Sequence, residues 1–184
     1  NLEIHPFLSC VPHVDRPTSV VFDLDPGEGA DILVCGEIAT LLREKLTAMG
    51  LESFVKVSGS KGLQLYVPLN TRVTYAQTQP FAKALAETLA REHPDRVVAM
   101  MAKVNRHGKV FIDWSQNSDF KTTVCVYSMR AKSDSPFISM PVTWEELRKA
   151  MRRGDRSALY FDPESCFKRL AKTGDLFEPV LRVK

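Results

Sequence analysis

The stretch Val20-Val21-Phe22-Asp23-Leu24-Asp25-Pro26-Gly27 constrains this chain more than any other. Val20 to Phe22 read as a buried strand, and Pro26-Gly27 turn the chain at its end. Side chains two residues apart on a strand share a face, so Asp23 and Asp25 stand side by side. Their backbones are then about 6–7 Å apart. Two anions so placed repel unless a positive charge sits between them, and hard carboxylate oxygens suit magnesium or manganese. A later strand, Lys109-Val110-Phe111-Ile112-Asp113-Trp114, also ends on an aspartate. If both strands end at one edge of one sheet, Asp113 joins the pair and three carboxylates make a two-metal site. Otherwise Asp113 is an ordinary strand-end aspartate.

Between these strands the periodicity alternates. A helix is predicted over about 32–49, with Asp31 as its N-cap, an apolar stripe of Ile32, Cys35, Ile38, Leu42 and Met49, and Gly50 beyond its end. A strand follows over 53–57, then Ser58-Gly59-Ser60-Lys61-Gly62, then a strand over 63–69. The small residues of that loop let backbone N–H groups approach an anion, and Lys61 adds charge, so it reads as a phosphate cradle. It lacks the G-x-x-x-x-G-K spacing of a Walker loop, and it would also serve as a plain hairpin loop. A second helix is expected over about 75–92, opened by Thr74 and Gln77 and stopped at His93-Pro94. Residues 97–103 fit either strand or short helix. Thr122–Arg130 reads as a strand, as does 137–142 at an edge. Leu2–His5 could form another. Helices over about 144–153 and 163–172 close the chain, capped by Thr143 with Glu146 and by Asp162.

The order βαββα then β argues for an α+β fold with a mostly antiparallel sheet. Two helices on one sheet face would leave the other free for a ligand or nucleic acid. The 184 residues fit one domain. A net charge of +3 says little about partners, although basic clusters occur around Lys103, Lys121 and Arg152. The four cysteines form no C-x-x-C pair, which argues against a zinc site and for a reducing compartment. No apolar run is long enough to cross a membrane, and no membrane partner is expected. A chain beginning at Asn1 is expected to be a piece of something longer.

Together these motifs resemble a known family. Phe22-Asp23-Leu24-Asp25-Pro26-Gly27, Ser58-Gly59-Ser60-Lys61-Gly62-Leu63, and Lys109 to Trp114 with Gln116-Asn117 look like its three motifs in order. The flanks Leu2-Glu3-Ile4-His5-Pro6, Tyr127-Ser128-Met129-Arg130-Ala131 and Pro141-Val142-Thr143-Trp144 agree. The family is the polymerase (primase-polymerase) domain of bacterial DNA ligase D, of the archaeo-eukaryotic primase superfamily. The resemblance implies an RRM-like βαββα catalytic core with flanking helices, and a single domain over 1–184 without the family's usual N-terminal segment. It implies a template-dependent polymerase that extends DNA ends and fills gaps in non-homologous end joining, using NTPs or dNTPs. Two Mn2+ or Mg2+ ions are expected on Asp23, Asp25 and Asp113. His5, Ser58, Lys61, Gln64, Arg106 and Arg130 match positions around the nucleotide. Expected partners are DNA ends with a template strand, ligase and Ku proteins, in the bacterial cytoplasm at the nucleoid.

Two departures from the family weigh on activity. Gln64 stands where a histidine is usual, and an amide can donate a hydrogen bond but cannot become cationic. Weaker nucleotide binding or slower chemistry follows. The segment that helps hold the template and the downstream 5′ end is expected to be missing. A nucleotide- or DNA-binding module of the same fold, catalytically weak or inactive, is therefore the alternative. A haloacid-dehalogenase phosphatase also opens on hydrophobic-Asp-x-Asp, but Pro26-Gly27 fits it poorly and no later aspartate pair supports it.

Overall fold

The computed structural model describes residues 3–102, 105–132 and 136–182. Eight strands and four helices follow in the order β1 (Ser19–Pro26), α1 (Ile32–Ala48), β2 (Phe54–Val57), β3 (Leu63–Pro68), α2 (Tyr75–Glu92), β4 (Val97–Val98), β5 (Val110–Asp113), β6 (Met129–Arg130), β7 (Phe137–Ile138), β8 (Pro141–Val142), α3 (Trp144–Arg153) and α4 (Pro163–Thr173). Six strands form one sheet in the order β4-β5-β1-β3-β2-β8, and β6 pairs with β7 as a separate ribbon. Among the described residues only β4 and β5 run parallel, and every other strand pairing is antiparallel. This is the expected α+β fold.

The strands alternate two faces. Val20, Phe22 and Leu24 of β1, Val55 and Val57 of β2, Leu63, Leu65 and Val67 of β3, and Val110 and Ile112 of β5 join one core. Helix α1 covers it with Ile32, Cys35, Ile38, Ala39, Leu42 and Leu46, and α2 adds Ala82, Leu85, Ala86 and Leu89. Each large apolar side chain buried there contributes about 1.5–3 kcal/mol relative to exposure. The helix starts follow local chemistry. The Asp31 carboxylate accepts from the N–H groups of Leu33 (2.9 Å) and Val34 (3.2 Å), and Thr143 Oγ1 accepts from Glu146 N (3.1 Å). Past α1 the chain turns at Gly50, whose φ of +75° suits glycine.

The opposite face is not left free along its whole length. Val21 and Tyr66 are buried there by Leu8, Tyr75, Phe177 and Val180, with the Tyr66 and Phe177 rings edge-on at 4.9 Å. Only the end of this face that carries the carboxylates stays open.

Three expected strands take another form, the first being 137–142, which divides into β7 beside β6 and β8 at the edge of the six-stranded sheet. Residues 122–128 run as an irregular segment, with β6 confined to Met129–Arg130. Their backbone bonds go to the N-terminal stretch: Thr123 N donates to Pro6 O (3.1 Å) and Cys125 N to Ile4 O (2.8 Å). Tyr127 then takes a left-handed turn at φ +63°. The described part of the predicted Leu2–His5 strand is this same irregular partner, bridged once at Phe7 and Thr122. The segment after α2 is a two-residue strand, and Lys103 lies outside the described residues.

Candidate active site

Sheet register builds the site. On the open face, Asp113 of β5 lies opposite Asp23 of β1, Asp23 opposite Gln64 of β3, and Gln64 opposite Lys56 of β2. Four polar side chains thus form one cross-strand row, spaced by the sheet at roughly 5 Å per strand. Asp25 stands two residues on from Asp23, on the same face.

A cleft of about 240 Å³ opens beside this row, lined by Asp23, Asp25, Pro26, Ser58, Ser60, Lys61, Gln64, Arg106 and Arg130. Seven of the nine residues singled out from the sequence therefore meet around one cleft. The loop Ser58–Gly62, read from the sequence as a phosphate cradle or a plain hairpin loop, is a closed turn. Ser58 Oγ accepts from the N–H groups of Ser60 (3.3 Å) and Gly62 (3.2 Å), leaving Lys61 exposed at the cleft mouth. Glycine is required at two points of that loop. A Cβ on Gly62 would sit 2.0 Å from Leu24 O, and Gly59 has φ +70° with Arg130 Cγ 2.7 Å from where a Cβ would be.

Arg130 is held between the loop and the N-terminal stretch. Its Nη1 donates to Ser58 O (3.1 Å) and its Nε lies 3.4 Å from Glu3 Oε2. Arg106 stacks over the Phe111 ring at 3.6 Å and donates from Nη2 to Met101 O (2.6 Å). His5 does not line the cleft. It contacts Glu3 Oε2 at 3.0 Å and so reaches Arg130 through Glu3. The His5 contact and the Ala131 N–H hold the Glu3 carboxyl down at about 2.

Asp113 takes its place in the row, but its carboxylate is turned toward its own loop. Oδ1 accepts from Ser115 N (2.8 Å) and Ser115 Oγ (2.6 Å), and Oδ2 from Gln116 Nε2 (3.4 Å). Among the described residues no three His, Cys, Asp or Glu side chains stand close enough to share an ion in this conformation. The electrostatics still couple the three. Asp23 is only half-buried by surface area, but protein atoms crowd it and strip its hydration. That desolvation, then the Asp25 charge, push its carboxyl up to about 7; Asp113 adds to the rise, while Lys56 and Gln64 oppose it. Asp25 is exposed at the cleft, but desolvation by the protein atoms around it, then Asp113, raise its carboxyl, against Arg106 and Arg130. Like charges held together in this way favour a proton or a cation. The donor set of hard carboxylate oxygens fits magnesium or manganese.

Lys56 was not singled out from the sequence. It is fully buried, with Nζ 2.6 Å from both Gln64 Oε1 and Ser139 Oγ, and burial lowers its pKa to about 7. A lysine in the middle of Phe54-Val55-Lys56-Val57, on the face opposite Val55 and Val57, was the available signal. Asn117 is also fully buried: Val21 N donates to its Oδ1 (2.8 Å), and its Nδ2 donates to Val21 O (2.7 Å) and Trp114 O (2.8 Å).

This mostly antiparallel sheet, with Asp23, Asp25 and Asp113 toward one end of one face, is shared with a primase-polymerase domain. The solved polymerase domain of Mycobacterium tuberculosis ligase D in complex with DNA superposes with a TM-score of 0.87 at 38% identity, covering 99% of this chain and 64% of that one. The family model described as LigD, primase-polymerase domain, matches residues 1–177, and the chain belongs to that family. The multifunctional non-homologous end joining protein LigD of Mycolicibacterium smegmatis is 42% identical over 163 residues, 89% of this chain and 20% of that protein. The bifunctional non-homologous end joining protein LigD of Bacillus subtilis is 31% identical over 160 residues, 86% of this chain and 25% of that protein. The chain thus spans a fifth to a quarter of the length of these relatives. Among the described residues no helix is long and apolar enough to cross a membrane.

Proposed function

We propose that this chain is a template-dependent nucleotidyltransferase that extends DNA ends with NTPs or dNTPs during non-homologous end joining. The observation that carries the reading is the cross-strand row Asp113–Asp23–Gln64–Lys56, with Asp25 beside it, at the lip of a cleft bearing Lys61, Arg106 and Arg130. Lys61, Arg106 and Arg130 in one cleft with carboxylates that suit metal ions fit a triphosphate, whose charge the cationic side chains and the bound ions would counter.

In this reading Asp23, Asp25 and Asp113 hold two Mn2+ or Mg2+ ions, with Asp113 leaving its contacts to Ser115 and Gln116 to do so. Bound there, the ions would make the primer 3′-hydroxyl a better nucleophile and offset charge on the leaving pyrophosphate. The chain's own groups supply the rest. Lys61, exposed at the cleft mouth, and Arg130, held in place by Ser58 O and Glu3, bind the triphosphate. Arg106 faces it from the β5 side, its plane fixed on Phe111. Fixed cations of this kind stabilise charge as it develops on the transferred phosphoryl group. His5 acts at one remove, by fixing Glu3 and through it Arg130. The relatives' end-joining names and the DNA bound in the solved polymerase domain support DNA ends as a partner; a ligase and Ku proteins are further partners in this reading.

Primer extension tests this directly. With Mn2+ and ribonucleotides the wild-type chain should extend a primer on a template, and Asp23→Ala or Asp113→Ala should abolish it. One observation favours the alternative of a binding module: the Asp113 carboxylate is occupied by its own loop. A wild-type chain that binds NTP and extends nothing would establish that alternative.

A further inference from the structure

Lys56 has a chemical setting that structure alone does not require. Its side chain is fully buried at the middle of β2, and its two hydrogen-bond acceptors are neutral, Gln64 Oε1 and Ser139 Oγ, both at 2.6 Å. The Tyr66 ring lies 5.6 Å from Nζ. Burying an ammonium whose hydrogen-bond partners are neutral is costly, and the nearby Asp23 charge offsets part of that cost.

What Lys56 does supply is direction. A glutamine side chain can present either its oxygen or its NH2 to a neighbour, because the two ends have similar shapes. An ammonium offers donors only. Lys56 therefore selects the oxygen, and the NH2 end must face the other way. There it donates to Thr123 Oγ1 at 3.1 Å, with Asp23 the next cross-strand neighbour on that side. Lys56, Gln64 and Asp23 are consecutive cross-strand neighbours, so the direction set at one end of the row is passed to the carboxylate at the other. Ser139, which donates in turn to Val57 O at 3.1 Å, steadies Lys56 from behind.

We propose that Lys56 is a positioning residue for the reaction: by holding Gln64 Oε1 it fixes the carboxamide with its NH2 end bracing Asp23 in the orientation that takes a cation. The inference rests on the reading of Asp23 as a cation ligand. It gives Gln64 a task that needs no positive charge.

The test is Mn2+ binding without turnover, by calorimetry, for the wild type, Lys56→Met, Gln64→Met and the double variant, each checked for folding by circular dichroism. Removing a positive charge near the site would by itself tighten cation binding. Removing an orienting group weakens it, by about tenfold. The expected result is weaker binding by about tenfold in each single variant and no further loss in the double, since both break one chain of contacts. In primer extension the loss should fall on kcat, with the KM for nucleotide within about twofold. Tighter or unchanged Mn2+ binding in folded Lys56→Met overturns the proposal, and so do single effects that multiply in the double. If Lys56→Met does not fold, Gln64→Met carries the test, and unchanged binding there overturns it. A wild type that binds no Mn2+ removes the cation reading along with this one. Wild-type binding that neither variant changes removes this one alone.

Discussion

Replacing Asn117 should unlock the loop that carries Asp113. Strand β5 ends at Asp113, so nothing continues it alongside Val21 of β1. The Asn117 carboxamide takes the missing strand's place, accepting from Val21 N at 2.8 Å and donating to Val21 O at 2.7 Å. It also donates to Trp114 O at 2.8 Å. In Asn117→Ala three hydrogen bonds are lost at a fully buried position, leaving Val21 N and O without a partner and Trp114 O with the residue-117 N–H alone. At about 1 kcal/mol each the loss is about 3 kcal/mol, which for a chain of this size lowers Tm by roughly 6–12 °C. Asn117→Asp keeps the volume and the acceptor for Val21 N, but sets a carboxylate oxygen against two carbonyls. That group titrates near 3.9 unfolded and higher when folded, so its cost grows as pH rises from about 4. Urea denaturation followed by circular dichroism at pH 5 and pH 8 measures both. The Asp variant should be the less stable of the two at pH 8 and should recover part of its loss at pH 5. A loss under about 1 kcal/mol in Asn117→Ala, or an Asp variant indifferent to pH, would refute the reasoning.

Two further outcomes follow from the site. Gly62→Ala puts a Cβ 2.0 Å from Leu24 O, so β1 and β3 must part where they carry Asp23 and Gln64; a stability loss of about 2–4 kcal/mol and loss of nucleotide binding are expected, by denaturation and calorimetry. Asp23 ionises at 3.8 as its ordinary value and near 7 in the fold, so metal-free folding stability falls as pH rises between the two. Asp23→Asn lacks this slope, and metal-free melts should show it equal to wild type near pH 4 and more stable at pH 8 by about 1–2 kcal/mol, the shift being discounted for the open cleft.

Much of this was legible in the sequence because it depends on local rules. The period-two spacing of Asp23 and Asp25, the Asp31, Thr143 and Asp162 caps, and the strand ending on Asp113 all follow from residues close in the chain. What register decides was not legible. Lys56, Gln64, Asp23 and Asp113 form a row only because β2, β3, β1 and β5 lie side by side with that alignment. Residues 122–128 carry the β-branched residues of a strand, but they bond to residues 4–6 rather than joining the sheet. Val21 and Tyr66 were the sign that the second sheet face would be partly covered, since apolar side chains on a free face would meet water. The turn of the Asp113 carboxylate toward Ser115 depends on a rotamer, which no spacing rule fixes.

The central claim is that Asp23, Asp25 and Asp113 act together on cations. Crystals of this chain soaked with Mn2+ and a nucleotide triphosphate, with anomalous scattering recorded at the manganese edge, test it most directly. The account predicts manganese peaks bridged by Asp23 and Asp25, with the Asp113 carboxylate swung away from Ser115 to meet them. Nucleotide bound in the cleft with no manganese at the carboxylates, or Asp113 still bonded to Ser115 beside a bound ion, would contradict it.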